Sequence, residues 1–246
     1  MYKILLIHSI TSFFIILVMW MLYKKNRDLI TSVKKKLYQI PINQRKIESL
    51  LSIYNSIDIE IPLKRFNGFV CSPDFLNELL RKILIYKPQY ILELGSGVST
   101  IIIGKALKKN GFGKLISFEH LKSEYDKTND EIELHKLKKF CTCIFSPLSK
   151  VKIDNKEYNW YSIDFKKIEF PIDMMIVDGP PIHSSEEKSR FPALPILKKY
   201  LSDNFIILVD DANRDDEKQI LNSWKKLYPK IKINYINLER GLAVIK

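Results

Sequence analysis

The sequence predicts an α/β fold: a doubly wound, mostly parallel sheet covered by helices on both faces. Short apolar runs, among them Tyr90–Leu94, Asp173–Val177 and Phe205–Val209, alternate with longer segments whose apolar residues recur at helical spacing. Strands with little polar alternation are those buried on both faces, as in parallel sheets. With 246 residues, 46% of them hydrophobic, the chain can fill one large core and carry an appendage.

The appendage comes first. Ile4–Tyr23 is twenty residues without Asp, Glu, Lys or Arg, which as a helix spans about 30 Å, the thickness of a bilayer core. Trp20 and Tyr23 stand at one end, and Lys24, Lys25 and Arg27 follow, then Lys34, Lys35 and Lys36. Only Lys3 precedes the run and no small-residue cleavage site closes it, which argues against a signal peptide. The expectation is a single-pass transmembrane anchor over residues 1–23 with the C-terminal side in the cytoplasm. His8, Ser9, Thr11 and Ser12 leave a tilted or shallow helix open. Residues 24–62 read as a basic juxtamembrane helix and linker, broken by Pro41 and Pro62, and residues 63–246 as the main domain. The net charge of +12 calls for an acidic partner. Because the bases crowd after the apolar run, that partner is lipid; no basic stretch is interleaved with aromatics, so nucleic acid is not expected. The three cysteines, Cys71, Cys141 and Cys143, form no disulfide framework or zinc set and read as buried thiols in a reducing compartment.

In the main domain a helix opens at Ser72-Pro73-Asp74, with a cap, a first-turn proline and an acid, and runs to about Tyr86 before Pro88. Strand Tyr90–Leu94 is followed by helix Ser99–Lys109, strand Lys114–Phe118, a charged helix Leu121–Phe140 and strand Cys141–Phe145. A hairpin-like stretch around "IDNKEYNWYSID" leads to strand Asp173–Val177. Helix Ala193–Tyr200, strand Phe205–Val209 and helix Asp215–Leu227 follow. Ile231–Ile236 and Leu242–Ile245 close the chain as a hairpin around Glu239-Arg240-Gly241. In such a sheet, ligands bind beyond the carboxyl ends of the strands.

"ILELGSGVST" places Gly95 and Gly97 at the end of the first strand, where the absence of Cβ atoms permits a tight turn and close ligand approach. Glu93 and Glu119 fall on the same rim, able to accept hydrogen bonds from hydroxyls or an amine. A dinucleotide loop needs glycine at position 100, which is Thr, and a Walker loop needs Gly-Lys-Ser/Thr, which is absent. "MMIVDGPP" and "IILVDDANRDDE" end two further strands in Asp178 and in Asp210 and Asp211. Three neighbouring acids repel one another unless something positive sits among them, and a hard divalent cation is one solution; helix capping and dipole compensation are the other reading.

As an ordered series of elements, residues 63–246 resemble the class I S-adenosylmethionine-dependent methyltransferases. "ILELGSGVST" looks like their first motif, "LISFEH" like their second strand ending in the ribose-binding acid, and the terminal hairpin like their reversed last strand. The resemblance implies a Rossmann-like seven-stranded sheet. It implies that Glu93, Gly95, Gly97 and Ser99 surround the methionine part of S-adenosylmethionine, with Ser96 and Asp178 also on the donor side. It further implies that Glu119 takes the ribose hydroxyls, His120 lies beside the adenosine and Ser146 neighbours the adenine. Asp178, Asp210 and Asp211 are similar to the metal-holding acids of the catechol and caffeoyl-CoA O-methyltransferases, which implies Mg²⁺ or another divalent ion; "VDGPP" also resembles the plant O-methyltransferases of xylan side chains. The chain departs from the catechol type in having Gly179, Pro180 and Pro181 where a lysine base follows the strand-four acid, and Asp-Asp where Asp-Asn is common. Asp178 and His183 are the catalytic candidates, His183 as base. Arg190 either contacts an acidic substrate or pairs with a nearby Glu. The function implied is a membrane-anchored methyltransferase acting on a hydroxyl of a small molecule, glycan or lipid-linked intermediate. A nucleotide-dependent oxidoreductase is disfavoured by Thr100, and a catalytically inactive scaffold by intact Glu93, Glu119 and Asp178.

Overall fold

The computed structural model of the chain describes residues 2–63, 71–168, 171–181 and 188–246. Two compact units are present, Met1–Arg45 and Lys46–Lys246. The first helix, α1, covers Tyr2–Ser56. Pro41 lies inside α1 rather than breaking it. A helical proline strips the hydrogen bond from the carbonyl four residues back; that residue is Leu37, 59% exposed, so water can take the freed oxygen.

Among the described residues no helix is long and apolar enough to cross a membrane, which corrects the expectation of a transmembrane anchor at Ile4–Tyr23. Polar His8, Thr11 and Ser12 dilute the outer half of the run, with the Thr11 hydroxyl folded back 2.9 Å onto the His8 carbonyl, and Lys24 closes the inner end. What this stretch presents is an exposed apolar sleeve that includes Phe13, Phe14, Ile16, Met19 and Trp20.

The second unit begins with the end of α1, whose Ile53, with Ile57 just beyond, is buried in the core. Helix α2 (Pro73–Tyr86) starts at the expected cap: Ser72 is extended, Pro73 occupies the first turn where no intrahelical donor is needed, and Lys87 closes the helix in the left-handed region. Then come β1 (Tyr90–Leu94), α3 (Val98–Asn110) and β2 (Lys114–Glu119). Helix α4 (Lys122–Leu134) stops six residues before the expected Phe140. Charged residues continue past that point, so the sequence gives no break. The structure ends the helix because Lys136 turns left-handed, at φ +57°, and fully buried Leu137 swings into the core with its N–H on the Ile132 carbonyl.

Strand β3 (Cys141–Phe145) is followed by the hairpin β4 (Leu148–Ile153) and β5 (Lys156–Tyr161). Its two turn residues are Asp154, at φ +52°, and Asn155, suited to a tight hairpin. The chain continues through β6 (Ile172–Val177), α5 (Ala193–Leu197), β7 (Leu201–Asp210), α6 (Asp215–Leu227), β8 (Ile233–Ile236) and β9 (Leu242–Ile245). Among the described residues seven strands form one sheet in the order β3-β2-β1-β6-β7-β9-β8. The first five are parallel, while β9 runs antiparallel to both β7 and β8.

Alternate strand residues feed two cores. Ile91, Met174, Ile176, Ile206 and Leu208 face α2 and α3. Leu92, Leu94, Met175, Val177, Ile207 and Val209 face the side packed by α5, α6 and the β4–β5 hairpin, where Trp160 and Trp224 are fully buried. Leu79 of α2 has no exposed surface, whereas Ile85 one turn and a half further on is 60% exposed. Leu79→Ala is therefore expected to lower the unfolding free energy by about 2–5 kcal/mol in urea denaturation, and Ile85→Ala to change it by less than about 0.5 kcal/mol.

Candidate active site

Strand register builds the rim. Leu94 pairs with Phe118 on one side and Val177 on the other, and Val177 pairs with Val209. The next residues along are Gly95, Glu119, Asp178 and Asp210, so the four fall in one row at the carboxyl edge. Strand parity then puts Glu93, Glu119, Asp178 and Asp210 on the face occupied by α2 and α3, in step with Ile91, Leu115, Ile176 and Leu208. Backbone bonds extend the ladder past the strands: Gly95 N–H donates to the Phe118 carbonyl at 2.9 Å and Asp178 N–H to the Leu94 carbonyl at 3.0 Å.

Gly95 has φ +95°, and a Cβ there would lie 3.2 Å from the Gly179 nitrogen, so the loop after β1 and the loop after β6 touch at two glycines. A Cβ on Gly179 would lie 2.2 Å from the Tyr161 hydroxyl. At Gly97 nothing stands within 4 Å of that position, which leaves the turn into α3 open to a ligand. Glu119 holds this turn: Oε2 accepts from the Ser96 N–H at 3.0 Å and from its hydroxyl at 3.3 Å, while Oε1 accepts from the Leu121 N–H at 2.9 Å and lies 3.0 Å from His120 Nδ1. Burial pushes the Glu119 carboxyl up, but His120 and these backbone donors outweigh it and hold it below its ordinary value. It is an anion at neutral pH with lone pairs to spare. Glu93 is fully buried; its Oε2 accepts from the Thr100 hydroxyl at 2.6 Å, which itself accepts from the Gly97 N–H at 3.0 Å, while Oε1 has no partner among the described residues.

The acids gather around one guanidinium. Arg190, 3% exposed, donates through Nη1 to the Asp210 carbonyl at 2.9 Å and through Nη2 to the Asp178 carbonyl at 2.8 Å. Nη2 also lies 3.3 Å from Asp178 Oδ1 and 3.1 Å from Asp211 Oδ2, and Nη1 lies 3.4 Å from Glu217 Oε1. Arg214 makes a second contact to Asp211 Oδ2 at 2.9 Å. Against the cost of burial, these carboxylates raise the Arg190 pKa beyond its already high value. Burial raises Asp178, with Arg190 opposing it, and raises Asp210 strongly, with Asp178 and Asp211 adding to the effect. Asp178 keeps 17% of its side chain exposed, whereas both carboxylate oxygens of buried Asp210 lack hydrogen-bond partners among the described residues.

The expected metal trio is thus brought together, but with a cation already among it. Asp211 is shared by two arginines, and the atoms that still converge within 4.8 Å of one another are the Cys71 thiol and the carboxylates of Asp178 and Asp210. Cys71 Sγ donates to Asp178 Oδ2 at 3.0 Å, and burial first, then Asp178, raises its pKa well above the thiol range. A hard ion such as Mg²⁺ takes about six oxygens in near-octahedral array. A protonated thiol, two carboxylates and an adjacent guanidinium do not fit it.

Other expected residues are placed as follows. Ser99 is 2% exposed beside Glu93 in the first turn of α3. His120 stands edge-on to Tyr161, with ring centroids 6.1 Å apart. The Ser146 N–H donates to the Glu119 carbonyl and its hydroxyl to the Ser162 carbonyl, both bonds internal to the fold. His183 lies outside the described residues. The sequence reading of Cys71 as a buried thiol holds, but its place beside Asp178 was not foreseen, nor was that of Tyr161, whose buried hydroxyl has no partner among the described residues. Their partners are far along the chain, and only the hairpin position of Tyr161 hinted at it. Two surface cavities, of about 500 and 620 Å³, lie one beside Tyr54 and Lys105, the other beside Tyr125 and Phe145; none of the rim acids lines either.

The fold and rim have counterparts. A model of the methyltransferase domain matches residues 92–212, from β1 to just past β7. No curated protein sequence matches the chain. The SAH-bound methyltransferase PaMTH1 of Podospora anserina superposes with a TM-score of 0.58 at 15% identity, over 88% of this chain and 94% of that one. The O-methyltransferase of Bacillus cereus in complex with SAH gives 0.53 at 15%, over 87% and 95%. TomG of Streptomyces achromogenes, an O-methyltransferase of tomaymycin synthesis in complex with SAM, gives 0.54 at 12%, over 87% and 95%. At these identities the likeness is one of fold, and the family model adds the sequence signal across the rim itself. Residues 92–212 thus match a methyltransferase domain, and the fold around them is that of the class I S-adenosylmethionine-dependent methyltransferases, close to the O-methyltransferases.

Proposed function

We propose that this enzyme moves the sulfonium methyl of S-adenosylmethionine to an acceptor hydroxyl held beside Asp178, the acceptor being a small molecule, a glycan or a lipid-linked intermediate. The observation that carries the reading is the in-register row of Gly95, Glu119, Asp178 and Asp210 on one face, next to the open side of Gly97. Bound S-adenosylmethionine supplies a methyl carbon activated by positive sulfur. The new O–C bond forms as the C–S bond breaks, the bonding pair stays on sulfur, and the hydroxyl proton passes to a carboxylate. Asp178, the rim acid with an exposed edge, is the acceptor of that proton. Glu119, ionised and fixed by Ser96 and Leu121, is the group suited to the ribose hydroxyls. The unpartnered Oε1 of Glu93 is suited to the donor's ammonium.

Burial pushes Glu93 up from 4.5 to about 7, with the hydroxyls of Ser99, Thr100 and Ser117 pulling the other way. A carboxyl held above its unfolded value binds its proton more tightly in the native state. Its contribution to stability is therefore present in full below pH 4.5 and lost as pH rises to about 7. An ammonium from the donor reverses this by favouring the charged form.

The N-terminal sleeve supports a place at a membrane surface. Phe13, Phe14, Ile16, Met19 and Trp20 are exposed on α1, the Lys24 ammonium lies 5.6 Å from the Trp20 ring, and Lys25 and Arg27 follow. Aromatic and aliphatic surface with a basic flank suits the headgroup region of an anionic bilayer, entered from the cytoplasmic side.

Calorimetric titration is expected to show saturable binding of S-adenosylmethionine and S-adenosylhomocysteine and none of NAD; absence of donor binding ends this reading. Asp178→Asn is expected to reduce methyl transfer to a panel of phenolic and polyol acceptors by about 100-fold or more while donor binding stays. Glu93→Gln should remove about 3 kcal/mol of the fall in stability between pH 4.5 and about 7, read from denaturation at a series of pH values. The full chain should sediment with vesicles containing phosphatidylserine, and Phe13→Asp with Phe14→Asp should release it.

A further inference from the structure

We propose that Arg190 is the fixed cation of the acidic rim, standing where the resemblance to catechol-type enzymes implies a divalent ion, so that methyl transfer here proceeds without a metal. This rests on the methyltransferase reading for its consequence, but its geometry stands apart from it.

The guanidinium reaches across the ends of three elements. It touches Asp178 after β6, Asp210 and Asp211 at the end of β7, and Glu217 in the first turn of α6. It holds the carboxylates of Asp178 and Asp211, two of the three acids that the resemblance assigns to a metal, and Asp210 by its backbone carbonyl alone. Arg190 does so with a planar fork that cannot lose its charge. Its own backbone is clamped: the Ser189 hydroxyl donates to the Pro180 carbonyl at 2.8 Å, and the Lys188 N–H donates to Asp216 Oδ2 at 2.8 Å. At 3% exposure the side chain has no solvent to retreat into. For a divalent ion to bind Asp178 and Asp211, the guanidinium has to leave a site where carbonyls and carboxylates surround it, which would bury an unpaired charge elsewhere. If it stayed, the ion would sit beside a like charge, with Arg214 also on Asp211.

The remaining convergent atoms are a thiol and two carboxylates, on Cys71, Asp178 and Asp210, and one of those carboxylates already faces Arg190. Oxygen-seeking ions are poorly served by that set. Arg190 is thus a positioning residue. It holds Asp178 Oδ1 and leaves Oδ2, now on the Cys71 thiol, as the atom available to the acceptor.

The test is metal binding to the full-length protein, followed by electron paramagnetic resonance for Mn²⁺ and by equilibrium dialysis for Zn²⁺, beside calorimetry with S-adenosylhomocysteine. Wild type is expected to show no saturable site for either ion at millimolar concentration, with affinity for S-adenosylhomocysteine unchanged within about twofold when EDTA is added. Folded Arg190→Met, its acids released, is expected to gain a Mn²⁺ site that the further change Asp210→Asn removes. A stoichiometric site in wild type, abolished by Asp210→Asn or by Cys71→Ser, overturns the proposal; so does a folded Arg190→Met protein that binds no Mn²⁺. Should Arg190→Met fail to fold, the wild-type titration decides by itself. Loss of S-adenosylhomocysteine binding under every condition would sink the methyltransferase reading instead, and the metal titrations would still judge Arg190.

Discussion

The structure depends on strands that end in register. Because Leu94, Phe118, Val177 and Val209 are neighbours across the sheet, whatever follows them is delivered to one edge, and parity delivers it to one face. Three of the four residues that follow are acids. A sheet edge tolerates such a row only if the charges are paired, protonated or met by ligand, since each buried anion otherwise carries a desolvation cost of several kcal/mol. The two ends of the rim meet this differently. After β2, Glu119 is spent on the Ser96 turn and the Leu121 N–H, and the carboxylate fixes the loop that follows β1. After β6 and β7, Arg190 takes the charge while polar atoms of Asp210, Asp211, Glu217 and Tyr161 go without hydrogen-bond partners among the described residues.

That asymmetry has physical meaning. A satisfied network is rigid, and rigid groups pre-arrange a site for a ligand of fixed shape. Unpartnered buried acceptors are costly in the free protein, and the cost is relieved when something with donors enters. Glu93, whose Oε1 also lacks a partner among the described residues, carries the same cost on the Gly95–Gly97 side. The contact of Gly95 with Gly179, with the Tyr161 hydroxyl filling the space a Cβ would need, joins the two ends, so displacement of either loop is felt by the other.

Much of this was legible in the sequence because it is local. Every strand of the parallel sheet was visible as a short apolar run, and the β4–β5 hairpin as a hairpin-like stretch around "IDNKEYNWYSID". The rim acids were visible because each ends such a run. What the sequence hid depends on partners distant in the chain or on tertiary override. The end of α4 was invisible because the polar pattern runs on past Leu134, and only burial of Leu137 stops it. Pro41 sits where exposure lets water satisfy the backbone, which no local rule reports. The need for a positive group among the three acids could be derived from charge repulsion alone. Its identity could not, because Arg190 lies in a segment without periodicity and the acids it meets come from the ends of β6 and β7 and from α6, far along the chain.

The choice between an arginine and a metal ion also bears on how the donor is held. S-adenosylmethionine is positive at sulfur and its demethylated product is neutral, so acids at the rim favour the donor over the product and assist exchange of one for the other. Attraction to the sulfonium is stronger in the ground state than in the transition state, where the positive charge is being cancelled by the incoming oxygen. A rim of fully exposed anions would therefore bind the donor tightly and slow its reaction. A divalent ion offsets that by adding two positive charges and by activating the hydroxyl. Arg190 adds one, spread over a plane and tied to the carboxylates of Asp178, Asp211 and Glu217 and to the Asp210 carbonyl. It moderates the field without supplying Lewis acidity; in the proposed reaction the acceptor's proton goes to Asp178, whose side chain keeps 17% of its surface exposed.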